Sequence, residues 1–162
     1  MPTVDFDVKV TLFKGQDNAG NDQYSLDIDP LTVFVSPLDI NGNNIRVVWK
    51  LEIAPPNAVL PTVELEAFFN QGATPFNASN PSNETYRTNA GSPNGAPSGP
   101  VRPDAVDGED DPEDRADQHR RLYKYTVKVN IKDGAGNIIH APTLDPSVLV
   151  RRRRVRAHKV WV

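Results

Sequence analysis

The chain has 162 residues, no cysteine, 15 prolines and a net charge of −3, with 38% of its residues hydrophobic. That length supports one domain with a real core, and the missing thiols exclude disulfides, zinc–thiolate sites and blue-copper chemistry. Burial therefore has to supply the stability. The net charge conceals a separation along the chain, −5 over residues 1–103, −7 over 104–117 and +9 over 118–162.

Residues 3–13 alternate with a period of two, Val4, Phe6, Val8, Val10 and Leu12 inward and Thr3, Asp5, Asp7, Lys9 and Thr11 outward, the mark of a half-buried strand. A polar loop over 15–22 follows, then Tyr24, Leu26 and Ile28 alternate before Pro30 interrupts and a short run, 31–36, resumes. Asn41-Gly42 signals a hairpin leading into a second strong strand, with Ile45, Val47, Trp49, Leu51 and Ile53 inward. Pro55-Pro56 ends it, and Val63, Leu65, Ala67 and Phe69 mark the next strand.

The character changes after Phe69. Residues 70–103 are dominated by Asn, Gly, Ser, Pro, Thr and Ala, with Phe76 and Tyr86 the only sizeable anchors, and 104–117 are acidic. Residues 70–118 are therefore expected to form a long polar and acidic insert, either a surface loop or an ordered arm that contacts a neighbour. Regular sequence returns at 122–132, where Tyr123, Tyr125, Val127, Val129 and Ile131 face inward and Lys124, Thr126, Lys128, Asn130 and Lys132 form a wet, basic back. Residues 133–137, Asp-Gly-Ala-Gly-Asn, close a hairpin into Ile138 and Ile139. Val148, Leu149 and Val150 precede a basic strand or arm over 151–162. No helical stretch and no internal repeat is evident. The expectation is a single all-β domain over 1–162, an antiparallel β-sandwich of about seven or eight strands.

Trp49 in mid-strand, with Tyr123 two residues before the core position Tyr125, resembles the immunoglobulin-like pattern, in which a strand Trp packs on the inter-sheet core and a corner Tyr precedes a cysteine by two. Tyr125 stands where that cysteine would be, so the disulfide is absent. The final strand pair, 123–129 and 144–150, is also similar to that of bacterial immunoglobulin-like and cupredoxin-like domains. The resemblance implies a fold without a metal site and names no activity.

Chemistry finds little footing. His119, His140 and His158 lie near turns or tails, and no nucleophile elbow of the Gly-x-Ser-x-Gly kind occurs. Glu64 and Glu66 share a strand face about 6.6 Å apart by the strand rise; paired-carboxylate glycosidases use that spacing, but surface strands carry such pairs routinely. The acidic run, Asp104, Asp107, Glu109, Asp110, Asp111, Glu113 and Asp114, has no EF-hand spacing and reads as a solvated surface. No cofactor and no enzymatic activity are expected.

The basic tail, Arg151, Arg152, Arg153, Arg154, Arg156 and Lys159 with Trp161, can be read three ways. It is a solvated arm, a partner for an acidic surface through bidentate Arg–carboxylate contacts, or a nucleic-acid footprint that the overall acidic balance disfavours. The leading functional expectation is a non-catalytic structural protein that self-assembles as a homo-oligomer or polymer (filament, virion or surface layer) through charged head-to-tail contacts. The alternatives are a binding module whose loops take a glycan or protein, and nucleic-acid binding through the arginines. No signal peptide and no apolar run of about 18 residues is visible, so synthesis as a soluble cytoplasmic protein without membrane partners is expected.

Overall fold

The structure, a computed structural model, describes residues 2–58, 62–69, 74–77, 85–88, 94–106, 120–152, 154 and 156–159, the Arg120 side chain excepted. It is all-β, with no helix among the described residues. Among the described residues thirteen strands arise where about seven or eight were expected, because several are two or three residues long and too short to show a period. In chain order they are β1 (Thr3–Gln16), β2 (Asp22–Asp29), β3 (Thr32–Val35), β4 (Asn44–Ala54), β5 (Thr62–Phe68), β6 (Thr85–Arg87), β7 (Gly95–Pro97), β8 (Arg120–Lys124), β9 (Thr126–Lys132), β10 (Ile138–His140), β11 (Thr143–Leu144), β12 (Ser147–Arg151) and β13 (His158–Lys159).

They form three sheets around one core: β2-β1-β4-β7, β10-β9-β5-β6 with β11 also on β9, and β13-β3-β12-β8. Pro30 marks the place where the chain leaves the first sheet for the third. Most pairings are antiparallel, but β1 with β4 and β3 with β12 are parallel. The first follows from two reversals, the turns at 17–21 and 39–43, which bring β4 back in the direction of β1. Periodicity does not encode strand polarity, so the alternating sequence carried no sign of this.

The run 122–132 is two strands rather than one. β8 pairs with β12 in the third sheet and β9 pairs with β5 in the second, with the break at Tyr125. Alternation survives the break, since Tyr123, Tyr125, Val127, Val129 and Ile131 are all buried. Asn130 departs from its expected wet face and is buried as well, its side-chain oxygen lacking a hydrogen-bond partner among the described residues.

Residues within 70–118 enter the core directly. β6 pairs with β5, β7 pairs with β4, and Phe76 bridges to Val101. Phe76, Tyr86, Ala96, Val101, Ala105 and Val106 are buried. Hydrogen bonds sew these segments down: the Val47 amide donates to Ser98 Oγ (2.9 Å), and the Arg102 guanidinium donates twice to the Thr74 carbonyl (2.9 and 2.7 Å). At Gly99 a Cβ would lie 2.2 Å from the Asn77 carbonyl oxygen, so only glycine permits the approach of 98–101 to Asn77.

Trp49 is wholly buried at the centre. Its indole Nε1 donates to the Tyr125 hydroxyl at 2.9 Å, its ring stacks on Tyr86 with centroids 5.5 Å apart, and Phe76 meets it edge-on at 6.1 Å. Phe69 stacks on Tyr125 at 5.1 Å. Burial pushes the Tyr125 phenol far above its ordinary range, against a smaller opposing effect of the Trp49 hydrogen bond, so it stays neutral. Trp49→Ala should cost about 3–5 kcal/mol, as deletion of a large core aromatic does. Tyr125→Phe should cost about 1–3 kcal/mol by stranding the buried indole N–H. Urea melts of the two variants test both values; a Trp49→Ala midpoint equal to wild type would place Trp49 outside the core.

Candidate interaction groove

Three five-residue turns share one sequence, Asp-x-x-Gly-Asn, at 17–21, 39–43 and 133–137. This is a short internal repeat, missed above because its copies differ at the middle residues. In each, Oδ1 of the Asp accepts from the amides two and four residues on, and the Gly amide donates back to the Asp carbonyl. Each glycine has a positive φ, 83°, 79° and 84° in turn, which explains the residue type. The repeat is a local device for reversing the chain, and the second copy lies beside Arg154 of the basic tail.

That tail folds back on its own chain. β12 ends at Arg151, and β13 pairs at the far edge of β3, His158 opposite Phe34 and Lys159 opposite Val33. Lys159 Nζ reaches both carboxylate oxygens of Asp29, at 2.7 and 2.9 Å. The His158 ring packs on Phe34 at 4.8 Å. Arg151 lies with its guanidinium 5.9 Å from the Phe34 ring and a buried Nε that has no hydrogen-bond partner among the described residues. Arg154 approaches the turn glycine Gly42, and the charge of Arg156 is felt at Asp39.

Arg152 and Arg154 line a cleft of about 400 Å³, whose other walls include Leu38, Pro37, Pro100, Val101 and Pro103. Four separate stretches meet there: the β3–β4 connection with the start of β4, Asn77, the 98–103 segment and the tail. The prolines offer hydrocarbon without a donor, and the arginines supply a cationic wall. Sequence reasoning found the arginines by charge but missed the remaining walls, since nothing local marks Pro37 and Pro100 as neighbours.

The other residues singled out from sequence fall elsewhere. Asp104 is bonded to Arg102 (2.7 Å) rather than to the tail. Asp107, Glu109, Asp110, Asp111, Glu113, Asp114, Arg153 and Trp161 lie outside the described residues. Glu66 sits between Arg87 (3.3 Å) and Lys128 (3.7 Å), and Glu64 meets Lys132 (3.5 Å), so the spaced carboxylates belong to a cross-strand charge ladder. Among the described residues no three His, Asp or Glu side chains gather as metal ligands would.

No family model and no curated protein matches this chain. Among solved structures, the N-terminal domain of phage TP901-1 ORF48 aligns with 90% of this chain and 98% of its own, at a TM-score of 0.36 and 11% identity. A likeness of that order decides neither fold family nor function.

The turn carboxylates give a pH test. Hydrogen bonding from Asn43, with smaller help from Asn41 and the charge of Arg156, holds Asp39 below its ordinary 3.8 against the opposing effect of burial. A depressed folded-state value means the stabilisation is present above about pH 4 and is lost as pH falls through that lower value. Asp39→Asn should therefore be less stable than wild type near neutrality, with the gap closing below pH 3.8. Denaturant melts across pH 2 to 7 check this; a gap independent of pH would sink it.

Proposed function

We propose that this protein is a non-catalytic association module, a subunit of a multi-copy assembly that joins copies through its basic tail. The observation that carries the reading is the placement of Arg152 and Arg154 on the wall of a proline-lined cleft. A cationic wall beside hydrocarbon suits an extended acidic segment: carboxylates engage the guanidiniums in charge-assisted bonds, and the floor excludes water from them. The complementary segment is the acidic run 104–117 of a neighbouring copy. A contact that joins the cleft of one copy to the acidic run of the next is head-to-tail and propagates into a ring or filament. The fold that holds them, in this reading, is an immunoglobulin-like sandwich.

Static light scattering behind size-exclusion chromatography, at low and high salt, tests the reading. Wild type should gain mass with concentration at low salt and lose it at high salt, because exposed charges are screened beyond about 8 Å at physiological ionic strength. The double variant Arg152→Ser/Arg154→Ser should weaken association at least a hundredfold, from two charge-assisted bonds of roughly 1.5–3 kcal/mol each, with an unchanged far-UV spectrum. Association of the double variant equal to wild type would overturn the proposal. So would a wild type that stays monomeric at high concentration, or a variant whose only loss is co-purifying nucleic acid.

A further inference from the structure

Little holds β13 to the body of the molecule. Its ladder with β3 has two residue pairs, His158 with Phe34 and Lys159 with Val33. Beyond the ladder, Lys159 Nζ meets the Asp29 carboxylate at an exposed surface, and the His158 ring lies on Phe34. No side chain among the described residues from 152 to 159 is buried, although Ala157 packs partly against the core. An element with so few buried contacts opens locally at a small fraction of the free energy that unfolds the core. The strand that receives it is held differently. Val33, Phe34 and Val35 are buried, and β12 keeps β3 in place from its other side through four registered pairs.

The sequence that leads into β13 works against closure. β12 runs parallel to β3 and β13 antiparallel to it, so the chain reverses between them. Arg151, Arg152, Arg153, Arg154 and Arg156 occupy that reversal. Successive residues span at most about 3.6 Å, well inside the ~8 Å over which charges act at physiological salt. Like charges so close repel and favour an extended chain over a reversed one.

We infer that β13 is an exchangeable strand: released from its own β3, it takes the same place on the β3 of a second copy. The closed form already displays the fit, since the same ladder pairs, the same Lys159–Asp29 contact and the same His158–Phe34 contact re-form between copies. Those contacts cancel between the two states. What remains is the entropy of association against the relief of repulsion in the arginine run. Exchange goes beyond the cleft contact proposed above and makes the tail an element with two states. Closed, it presents Arg152 and Arg154 to the cleft; exchanged, it leads to the neighbour.

Carbodiimide joins a carboxylate to an amine that touches it, so the Lys159–Asp29 contact can be read in the unmodified chain. Equal amounts of unlabelled and isotope-labelled protein are incubated together at rising concentration, coupled, digested and weighed by mass spectrometry. Asp29–Lys159 amides between unlike copies should be absent at high dilution and approach half of all such amides at high concentration. Lys9–Glu52, 3.1 Å apart on neighbouring strands of the first sheet, is the internal control and should join like copies throughout. Asp29–Lys159 amides confined to like copies at every concentration would overturn exchange; association persisting in light scattering would then leave the cleft reading standing. Failure of the Asp29–Lys159 amide to form where Lys9–Glu52 couples would overturn it as well. So would unlike-copy Lys9–Glu52 amides as abundant as those of the tail, the sign of crowding without exchange.

Discussion

The hydrogen bond from the Trp49 indole to the Tyr125 hydroxyl is the point on which the three sheets converge. Trp49 belongs to the first sheet, Tyr125 to the break between strands of the second and third, and Tyr86, stacked on Trp49, to the second. Both polar atoms are fully enclosed, so each is satisfied only if the other is in place. The constraint extends to Thr74, Phe76 and Tyr86, because Phe76 and Tyr86 form part of the box around the indole and Thr74 Oγ1 bonds the Tyr86 hydroxyl at 2.8 Å. The described residues of a segment with the composition of a surface loop are thereby part of the core, and Pro100, Val101 and Pro103 among them line the groove.

The segregation of charge along the sequence is only partly a segregation in space. Lys128 and Lys132, counted in the basic third, neutralise Glu66 and Glu64 across a sheet, and Lys159 neutralises Asp29. Contacts of this exposed kind contribute little to stability individually. They do decide where the tail lies. With Lys159 anchored at β3 and Arg151 at the end of β12, Arg152 and Arg154 between them lie at the cleft.

Much of the frame was legible because long strands bury one face and leave a two-residue period. The inward sets of β4 and β5 were read correctly from that period alone, including Trp49, and that of β1 from Phe6 on, whereas Val4, near the start of β1 and expected inward, is 40% exposed because the strand begins beyond the core. Three features left no such trace. β6 and β7 are three residues each and exist because Ala67 and Trp49 offer them partners, which is a tertiary cause. The sheet change at Tyr125 is silent because an inward residue on one strand is followed by inward residues on the next. Strand polarity is silent because a period has no direction. The Asp-x-x-Gly-Asn turns were visible throughout and needed only comparison of three distant pentapeptides. Of the groove, the arginines showed as charge, whereas its proline walls come together only when the chain closes.

β3 has a further consequence for how the molecule is made. Its strand neighbours, β12 and β13, both come from the last sixteen residues of the chain, and Thr32 meets Ser147 across 115 positions. Val33, Phe34 and Val35, all buried in the finished protein, therefore leave the ribosome long before any strand exists to pair with them. Loop closure over such a distance is entropically slow, and an apolar strand with two bare edges is a template for unwanted pairing in the meantime. The prolines on either side, Pro30 and Pro37, cannot donate to a growing ladder, and they keep that exposed stretch to a few residues until the end of the chain arrives.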